Sequence, residues 1–478
     1  MTPGDEMAPH SRRVATRRDL LRTTLGAAAA LAATPFELWA GLARETPRSP
    51  GASPSSERPW LAAAERAARW IQRSAITDAR GVTWPADPAD LTSVQQNLYS
   101  GSPGVVLFLL ELHHATGDRA WLDQACAGAD YLAATMPAGI EGIDSGLYTG
   151  IAGVAYALEE TARASGRATY AAASRRALEL LKRGATPVGA RGVAWNESTD
   201  VVSGSAGIGL FLLWAHGAMG DVSALDVAAR AGHRLIEQGI AEGGGLKWRM
   251  TADFARTMPN FAHGTAGVGY FLASLHQATG TRAFLDAAVA GATYLQSIAT
   301  PTSGDGRVII HHEPESGDLF YLSWCHGPAG TARLFHRLGE MTGDARWSSW
   351  VRQLALGIVA SGIPERRTAG FWNNVSRCCG NSGVADFFLS LHEHAGDPAW
   401  LAFARRCAVD TQRRATEEAG GLKWTQAEHR VRPELLIAQT GLMQGAAGVG
   451  LSLLHLDGVD QRRRRRVVLP DDPWRAGV

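Results

Sequence analysis

The chain has 478 residues, of which 45% are hydrophobic and 19% are charged, and its formal net charge at pH 7 is +1. This is the composition of an ordinary globular protein that can bury a sizeable core. The near-neutral charge gives no reason to expect nucleic acid or an anionic membrane as a partner.

The first predicted element is an export signal at residues 1–43. A twin-arginine motif within Thr16–Arg22 precedes a weakly apolar, alanine-rich run at Thr23–Ala33, and small residues near Ala40 or Ala43 offer a cleavage site. We therefore expect export by the twin-arginine route to the periplasm or the extracellular space. The alternative is a disordered or interfacial N-terminus. No other run is long and apolar enough to span a bilayer, so an uncleaved signal is the only membrane tether expected.

Residues 44–58 are rich in Pro and Ser and are interpreted as a linker, after which a repeated unit fills residues 59–458. The unit is marked by Gly-x-x-Gly, and each copy leads into an apolar run. A single copy of so short a motif means little, but seven copies in register indicate a repeat fold. The seven copies are Gly101–Gly104, Gly150–Gly153, Gly204–Gly207, Gly264–Gly267, Gly327–Gly330, Gly380–Gly383 and Gly445–Gly448.

Each unit is predicted to hold an amphipathic, alanine-rich helix followed by a helix that is apolar almost all round. The amphipathic helix of the first unit spans Trp60–Ile71, and the apolar helix follows the glycines. A helix that is apolar on every side must be buried, so the glycine-led helices should form an inner ring. The amphipathic helices are expected to resume at Trp121, Tyr170, Leu225, Phe284, Trp347 and Trp400.

Seven such hairpins predict an all-α fold, a closed α/α toroid. An open array would need polar capping units, and the first and last units are as apolar as the others. Short extended or hairpin elements are predicted on one rim, at 192–195, 245–248, 370–372 and 421–424. Each contains a tryptophan, for which packing is favoured over substrate stacking.

The last segment, residues 459–478, is interpreted as a solvated tail. It contains five consecutive arginines, Arg462–Arg466, and then Pro470 and Pro473. A terminal basic run is compatible with nucleic acid binding, but a chain with almost no net charge does not favour it.

Aligning the copies on their first glycine predicts a set of polar side chains at the N-termini of the inner helices, facing a shared cavity. Cys325 and Cys378 stand two residues before the first glycine of their copies, and Asp200 stands four residues before Gly204. The residues directly before the glycine are Ser100, Thr149, Ser203, His263, His326, Cys379 and Gln444.

Three of the five cysteines lie on this predicted rim: Cys325, Cys378 and Cys379. A helix N-terminus favours a thiolate, and three thiolates suit zinc while leaving a fourth tetrahedral position open. The spacing alone also permits a Cys325–Cys378 disulfide, which an exported protein tolerates. Cys126 and Cys407 are predicted to be small buried residues of the amphipathic helices.

From the residues alone, histidines are also candidate metal ligands. His326 is a candidate to replace one thiolate. His311 and His312 fall in a loop and are expected to be ordinary surface residues.

The seven Gly-x-x-Gly copies, Trp324-Cys325-His326-Gly327, Cys378-Cys379-Gly380, Ala262-His263-Gly264 and Asp200-Val201-Val202-Ser203-Gly204 together resemble the lanthionine synthetase C-like proteins. This family includes the cyclases that close thioether rings in lanthipeptides. The resemblance covers about 57–458, and it implies a seven-hairpin α/α toroid with zinc at one end of the central cavity.

By this resemblance, Cys325 and Cys378 match the two expected zinc thiolates. Many members carry histidine at the position of Cys379. A branch of the family carries three cysteines, and Cys379 matches that branch. An additional thiolate adds negative charge, which should make a bound substrate thiolate more nucleophilic. Tyr321 departs from the pattern, because many cyclases have arginine at this position.

The resemblance implies that His263 acts as general acid or base and that Asp200 assists it. His263 would protonate the enolate that forms when a thiolate attacks a dehydroamino acid, while Asp200 would accept the thiol proton or orient His263. The alternatives are a histidine satisfied on the rim and an N-cap or turn aspartate.

The predicted function is therefore zinc-dependent thioether formation, in which a cysteine thiolate adds to a dehydroamino acid in a peptide. The substrate would be a dehydrated, cysteine-containing peptide or involve a small thiol. Only a signal and a linker precede the first unit, so a separate dehydratase is expected to supply it. Two alternatives remain: a non-catalytic zinc and thiol-binding protein, favoured by Tyr321, and an α/α-barrel glycan hydrolase, which needs two carboxylates facing one cavity.

Overall fold

The computed structural model describes residues 58–139, 141–313, 319–366, 374–427 and 432–474. In these ranges the secondary structure is mostly helical, and none of the helices has the length and apolarity needed to cross a membrane. The fourteen helices are α1 Pro59–Gln72, α2 Ser102–Thr116, α3 Arg119–Ala134, α4 Ile151–Ser165, α5 Ala168–Arg183, α6 Ser205–Met219, α7 Val222–Glu237, α8 Thr265–Thr279, α9 Arg282–Ile298, α10 Pro328–Thr342, α11 Ala345–Ala360, α12 Asn381–Ala395, α13 Pro398–Arg413 and α14 Ala446–Asp460.

The even-numbered helices form the inner ring, as predicted. Each begins directly after the first glycine of a Gly-x-x-Gly, and most of its residues are buried. The glycines are needed because the chain doubles back tightly at this point. A Cβ on Gly207, for example, would lie 1.9 Å from the carbonyl oxygen of Val201. Six of these helices end at a glycine with φ near 70°, a conformation that glycine adopts without steric cost.

The odd-numbered helices cover the inner ring. Six of them begin two or three residues before the positions expected from their first large apolar residue. Aspartate N-caps account for four of these earlier starts, because their side chains accept hydrogen bonds from backbone N–H groups in the first turn. The capping residues are Asp118, Asp221, Asp344 and Asp397.

The grouping of helices into hairpins differs from the prediction. Each inner helix packs against the amphipathic helix that follows it, and α1 packs against α14 at the other end of the chain. The indole Nε1 of Trp60 donates to Asp460 at 3.1 Å, and Arg58 forms a 2.6 Å ion pair with Asp457. The seventh hairpin thus joins both ends of the repeat, so the toroid is closed.

A circle of backbone hydrogen bonds links the seven units at the rim where the inner helices begin. Tyr99 N–H donates to the carbonyl of Tyr148, and Met443 N–H donates back to Tyr99, each at 2.9 Å. Five further bonds of 2.8–3.1 Å complete the circle through Val201–Val202, Ala262, Cys325 and Cys378. The residue two positions before each first glycine therefore lies on this circle, which fixes where the rim side chains start.

Within the described residues, six two-stranded antiparallel hairpins lie between the helices, and the predicted rim elements at 192–195, 245–248 and 421–424 are among them. In three of them the tryptophan donates its indole N–H to a carbonyl near the end of an amphipathic helix: Trp195 to Leu181, Trp248 to Leu235 and Trp424 to Thr411. These tryptophans pack, as predicted; Trp372 lies outside the described residues. The strands are β1 Ile76–Asp78, β2 Gly81–Thr83, β3 Thr186–Val188, β4 Gly192–Ala194, β5 Ile240–Glu242, β6 Gly245–Lys247, β7 Thr300–Pro301, β8 Arg307–Val308, β9 Thr416–Glu418, β10 Gly421–Lys423, β11 Thr425–Ala427 and β12 Leu436–Ala438.

Residues 461–474, which we call the C-terminal segment, follow α14. The prediction of a solvated tail is wrong from Val467 to Trp474, whereas Gln461, Arg462 and Arg464 are exposed. Val467, Leu469 and Asp471 are at most 5% exposed. Arginines in a basic run had suggested a hydrated segment, but Arg463 and Arg465 form ion pairs with Asp457 and Glu393. The paired charges allow the apolar residues between and after them to enter the toroid.

Candidate metal centre

Three cysteine sulfurs meet at the rim where the inner helices begin. Cys325 precedes α10, and Cys378 and Cys379 precede α12, so two neighbouring inner helices supply them. The Sγ of Cys379 lies 3.3 Å from the Sγ atoms of both Cys325 and Cys378. Each cysteine is 3% exposed. Two sequence-distant positions are therefore brought together as predicted.

These distances fit a metal ion better than a disulfide. A disulfide requires about 2.05 Å between sulfurs, and all five cysteines are free. Sulfurs around a tetrahedral zinc lie about 3.8 Å apart, since each Zn–S bond is about 2.3 Å, so a shift of a few tenths of an ångström would accommodate the ion. Among the described residues, this is the one group of three or more His, Cys, Asp or Glu ligands within 4.8 Å, and His326 is not in it.

The protonation of the three thiols shows why the cluster suits a cation. Burial and its two neighbours raise the pKa of Cys325 well above the usual value. Burial also acts on Cys378, but hydrogen bonds from Cys325, Cys379 and Tyr99 outweigh it and lower the pKa of Cys378. Cys378 is thus the thiol that ionises most readily, because its neighbours donate hydrogen bonds to it. A bound cation is needed before all three thiols can ionise.

Two polar side chains, those of Tyr99 and Gln444, contact the sulfurs. The hydroxyl of Tyr99 donates to Cys378 Sγ at 3.2 Å, and Gln444 Nε2 lies 3.1 Å from that hydroxyl and 3.7 Å from Cys379 Sγ. Gln444 was among the predicted rim residues, but Tyr99 was missed. It was recognisable in the aligned repeats, because it occupies the position of Cys325 and Cys378 in the first copy.

His263 lies on the same rim and is held by Asp200, with 2.5 Å between Nδ1 and Oδ2. The other carboxylate oxygen of Asp200 accepts from the backbone N–H groups of Ser203 and Gly204 at 2.9 and 2.7 Å. Asp200 therefore stabilises the turn that precedes α6 and also orients His263. Burial opposes a charged imidazole, but the hydrogen bond and charge of Asp200 outweigh it and raise the pKa of His263.

The expectation that His311 and His312 are surface residues is wrong. They are 9% and 3% exposed. The ring of His311 lies 4.3 Å from those of His326 and Tyr321. Burial and the three neighbouring imidazoles lower the pKa of His326 well below its usual value.

The three cysteines and His263 line one cavity of about 160 Å³. Of the aligned rim positions, His263, His326, Cys379 and Gln444 reach this cavity, whereas Ser100, Thr149 and Ser203 are not among its lining residues. Its described lining contains no carboxylate, so the two acids that a glycan hydrolase needs are not found here. The remaining lining residues are Tyr99, Val202, Ala262, His311, Tyr321, Trp324, Cys325 and Cys378.

A closed α/α toroid with a buried three-cysteine cluster at one rim defines the class of this protein. Residues 92–469 match the family described as lanthionine synthetase C-like protein. Because the match covers most of the chain, the chain belongs to this family, and the resemblance seen in the sequence is confirmed.

The fold agrees with that of one solved structure, nisin cyclase. Nisin cyclase has 15% sequence identity and a TM-score of 0.59, with 87% of this chain and 96% of that chain covered. An α-mannanase of Bacteroides thetaiotaomicron has 12% identity and a TM-score of 0.48, with coverage of 84% and 96%. At 15% identity the comparison with nisin cyclase concerns the fold alone. No curated protein matches the sequence.

Proposed function

We propose that this protein forms thioethers by adding a cysteine thiol to a dehydroamino acid in a peptide. The observation that carries the proposal is that three buried cysteines and a carboxylate-held histidine line one cavity. Membership of the lanthionine synthetase C-like family supports the same class of reaction.

In this proposal Cys325, Cys378 and Cys379 hold a zinc ion. The donor set fits, because three thiolates suit a borderline-soft ion and leave a fourth position open. When bound, zinc lowers the pKa of an incoming thiol, so that the substrate reacts as a thiolate near neutral pH.

His263 would supply the proton that completes the addition. The sulfur forms a bond to the β-carbon, the carbon–carbon double bond opens, and the α-carbon takes a proton. Asp200 engages Nδ1 of His263, which leaves Nε2 as the nitrogen available to the cavity. The raised pKa of His263 favours the protonated, proton-donating form. The proton lost by the thiol passes to solvent, and solvent then returns a proton to His263.

The partners and the location belong to the same proposal. The substrate would be a dehydrated peptide that contains cysteine, or one that reacts with a small thiol, and a separate dehydratase would produce it. The twin-arginine signal lies outside the described residues, and export remains a proposal based on its sequence.

One observation favours a second candidate, a non-catalytic protein that binds zinc and thiols. Tyr321 is 2% exposed and its ring packs against His311, so this wall of the cavity carries no arginine. A binder would retain the cysteine cluster without needing His263.

A direct assay distinguishes the two candidates. The zinc-loaded protein is incubated with a peptide that contains dehydroalanine and cysteine, and free thiols are counted by alkylation and mass spectrometry. We expect thiol loss faster than in buffer, and His263→Ala should abolish turnover while leaving metal content unchanged. Thiol binding without acceleration over buffer would identify the binder instead.

A further inference from the structure

The C-terminal segment turns back into the toroid after α14. Arg462 adopts a φ of 55°, and the backbone N–H groups of Arg466 and Val467 each donate to the buried carboxylate of Glu111 at 2.8 Å. The hydroxyl of Tyr156 then donates to the carbonyl of Val468 at 2.8 Å. The segment is thus fixed to two inner helices before it reaches the centre.

Asp471 lies at the end of this path, 1% exposed. Its Oδ1 accepts from the hydroxyl of Tyr148 at 2.9 Å, and its Oδ2 accepts from the indole Nε1 of Trp324 at 3.0 Å. Arg333 Nη1 donates to the backbone carbonyl of Asp471 at 2.6 Å and lies 3.4 Å from Oδ2. A buried carboxylate is costly unless such donors satisfy it, so this arrangement is specific.

Trp324 connects Asp471 to the cysteine cluster. It lines the cavity and directly precedes Cys325 in the chain. Its ring lies 5.0 Å from that of Tyr148 and 5.7 Å from that of Phe261. The indole therefore has aromatic neighbours, and its one polar atom is held by Asp471.

The C-terminal segment lines a second, larger cavity. Its volume is about 790 Å³, and Asp472 and Trp474 line it together with Arg464–Arg466 and the ends of four inner helices. It shares no lining residue with the cysteine-lined cavity. The segment thus lines the larger space directly, and it is linked to the cysteine-lined cavity by the hydrogen bond between Asp471 and Trp324.

The geometry points to Asp471 as a positioning residue that holds Trp324 beside Cys325 in the wall of the cysteine-lined cavity. The inference deepens the proposed function and rests on it for the identity of the ligand, but the contact between Asp471 and Trp324 can be tested without turnover.

The first test uses metal-free protein that also carries Cys126→Ala and Cys407→Ala, so that only the cluster reacts. Asp471→Asn replaces an acceptor oxygen by a donor, and Trp324→Phe removes the indole N–H. We expect either change to accelerate modification of the cluster by Ellman's reagent about tenfold, because a hydrogen bond to a charged group is lost. Asp472→Asn, in the same segment but facing the other cavity, should change the rate less than about twofold.

The double variant decides whether the two residues act together. In protein that carries Trp324→Phe, the further change Asp471→Asn should barely alter the modification rate. In contrast, the rate changes caused by Trp324→Phe and by Asp472→Asn should multiply in their double variant. Multiplying effects for Asp471→Asn and Trp324→Phe, or an unchanged rate in Asp471→Asn, would overturn the inference. Should Asp471→Asn fail to fold by circular dichroism, Trp324→Phe alone serves, since it leaves the carboxylate with Tyr148 and Arg333.

A second readout separates this inference from the proposed function. Cobalt(II)-loaded protein is titrated with N-acetylcysteine, and the visible spectrum follows binding of the thiol. We expect Asp471→Asn to weaken that binding about tenfold and Asp472→Asn to leave it unchanged; equal binding by wild type and Asp471→Asn would contradict the positioning role of Asp471. If wild-type protein shows no response to the thiol, the proposed function fails, while the modification rates still decide the role of Asp471.

Discussion

Nδ1 of His263 and Oδ2 of Asp200 lie 2.5 Å apart although 63 residues separate them in the chain. The second oxygen of the same carboxylate accepts from the backbone of Ser203 and Gly204. One side chain thus fixes the turn that starts α6 and the imidazole that precedes α8. The orientation of His263 is therefore coupled to the packing of neighbouring inner helices.

Asp200→Asn should keep the turn and lose the charge. The amide oxygen can still accept from the backbone, but the raised pKa of His263 should fall, because the carboxylate is its main stabilising partner. In the wild type, His263 contributes stability that is present below its unfolded pKa of about 6.5 and is lost as the pH rises through its higher folded pKa. We expect turnover at pH 7 to fall about 100-fold and the pH–rate profile to shift to lower pH.

Histidine NMR titration and the pH–rate profile measure this effect. Ser203→Ala is the matched control, since it removes only the 3.2 Å contact of the serine hydroxyl with Asp200, and its profile should match the wild type. An unchanged profile in Asp200→Asn would show that the carboxylate serves the turn alone.

Cys379 should be replaceable by histidine but not by serine. A third soft or borderline donor completes the site, so Cys379→His should retain stoichiometric zinc, whereas Cys379→Ser should weaken zinc affinity by more than about 100-fold. Metal analysis and competition with a chelator report both results. Cys126→Ala, a buried cysteine outside the cluster, is the control and should bind zinc normally. Full zinc affinity in Cys379→Ser would remove this residue from the ligand set.

Two glycines of α6 should respond oppositely to alanine. A Cβ at Gly207 would lie 1.9 Å from the carbonyl oxygen of Val201, whereas a Cβ at Gly217 meets nothing within 4 Å. We expect Gly207→Ala to lower the free energy of unfolding by about 3 kcal/mol, and Gly217→Ala to raise it by about 0.5–1 kcal/mol, because alanine is the better helix former. Urea denaturation compares them; similar values for both would contradict the role of Gly-x-x-Gly as a close-approach motif.

His336 should make the protein less stable below neutral pH. Its ring stacks on Trp474 at 3.8 Å, and burial with neighbouring His394 and Arg337 lowers the pKa of His336 to about 3. Between pH 6.5 and 3 the unfolded chain binds a proton that the folded chain does not, so stability falls with falling pH. The expected loss from this residue is about 2 kcal/mol by pH 5.

His336→Phe keeps an aromatic ring against Trp474 and removes the titrating group. The difference in unfolding free energy between pH 7 and pH 5 should therefore be smaller in this variant by about 2 kcal/mol. Denaturation at both pH values measures it, and the same difference in both proteins would show that His336 does not titrate on unfolding.

The sequence by itself determined the inner and outer helices and the seven-fold arrangement, because these follow from local signals. Gly-x-x-Gly marks where the chain must turn closely, and apolar periodicity separates buried helices from amphipathic ones. The same register put His263 and the three cysteines on one rim. Position within a repeat was enough to predict which residues share a level of the toroid.

Only the tertiary structure decided which of those residues meet. The pairing of α1 with α14 joins the two ends of the repeat, and no local signal encodes so distant a contact. Likewise, the sequence of the C-terminal segment predicted a hydrated tail, and its burial became evident only through its ion pairs and the carboxylate of Asp471. Side-chain partners such as Tyr99 for Cys378, and Asp471 for Trp324, depend on the closed ring, because closure brings residues far apart in the chain within hydrogen-bonding distance.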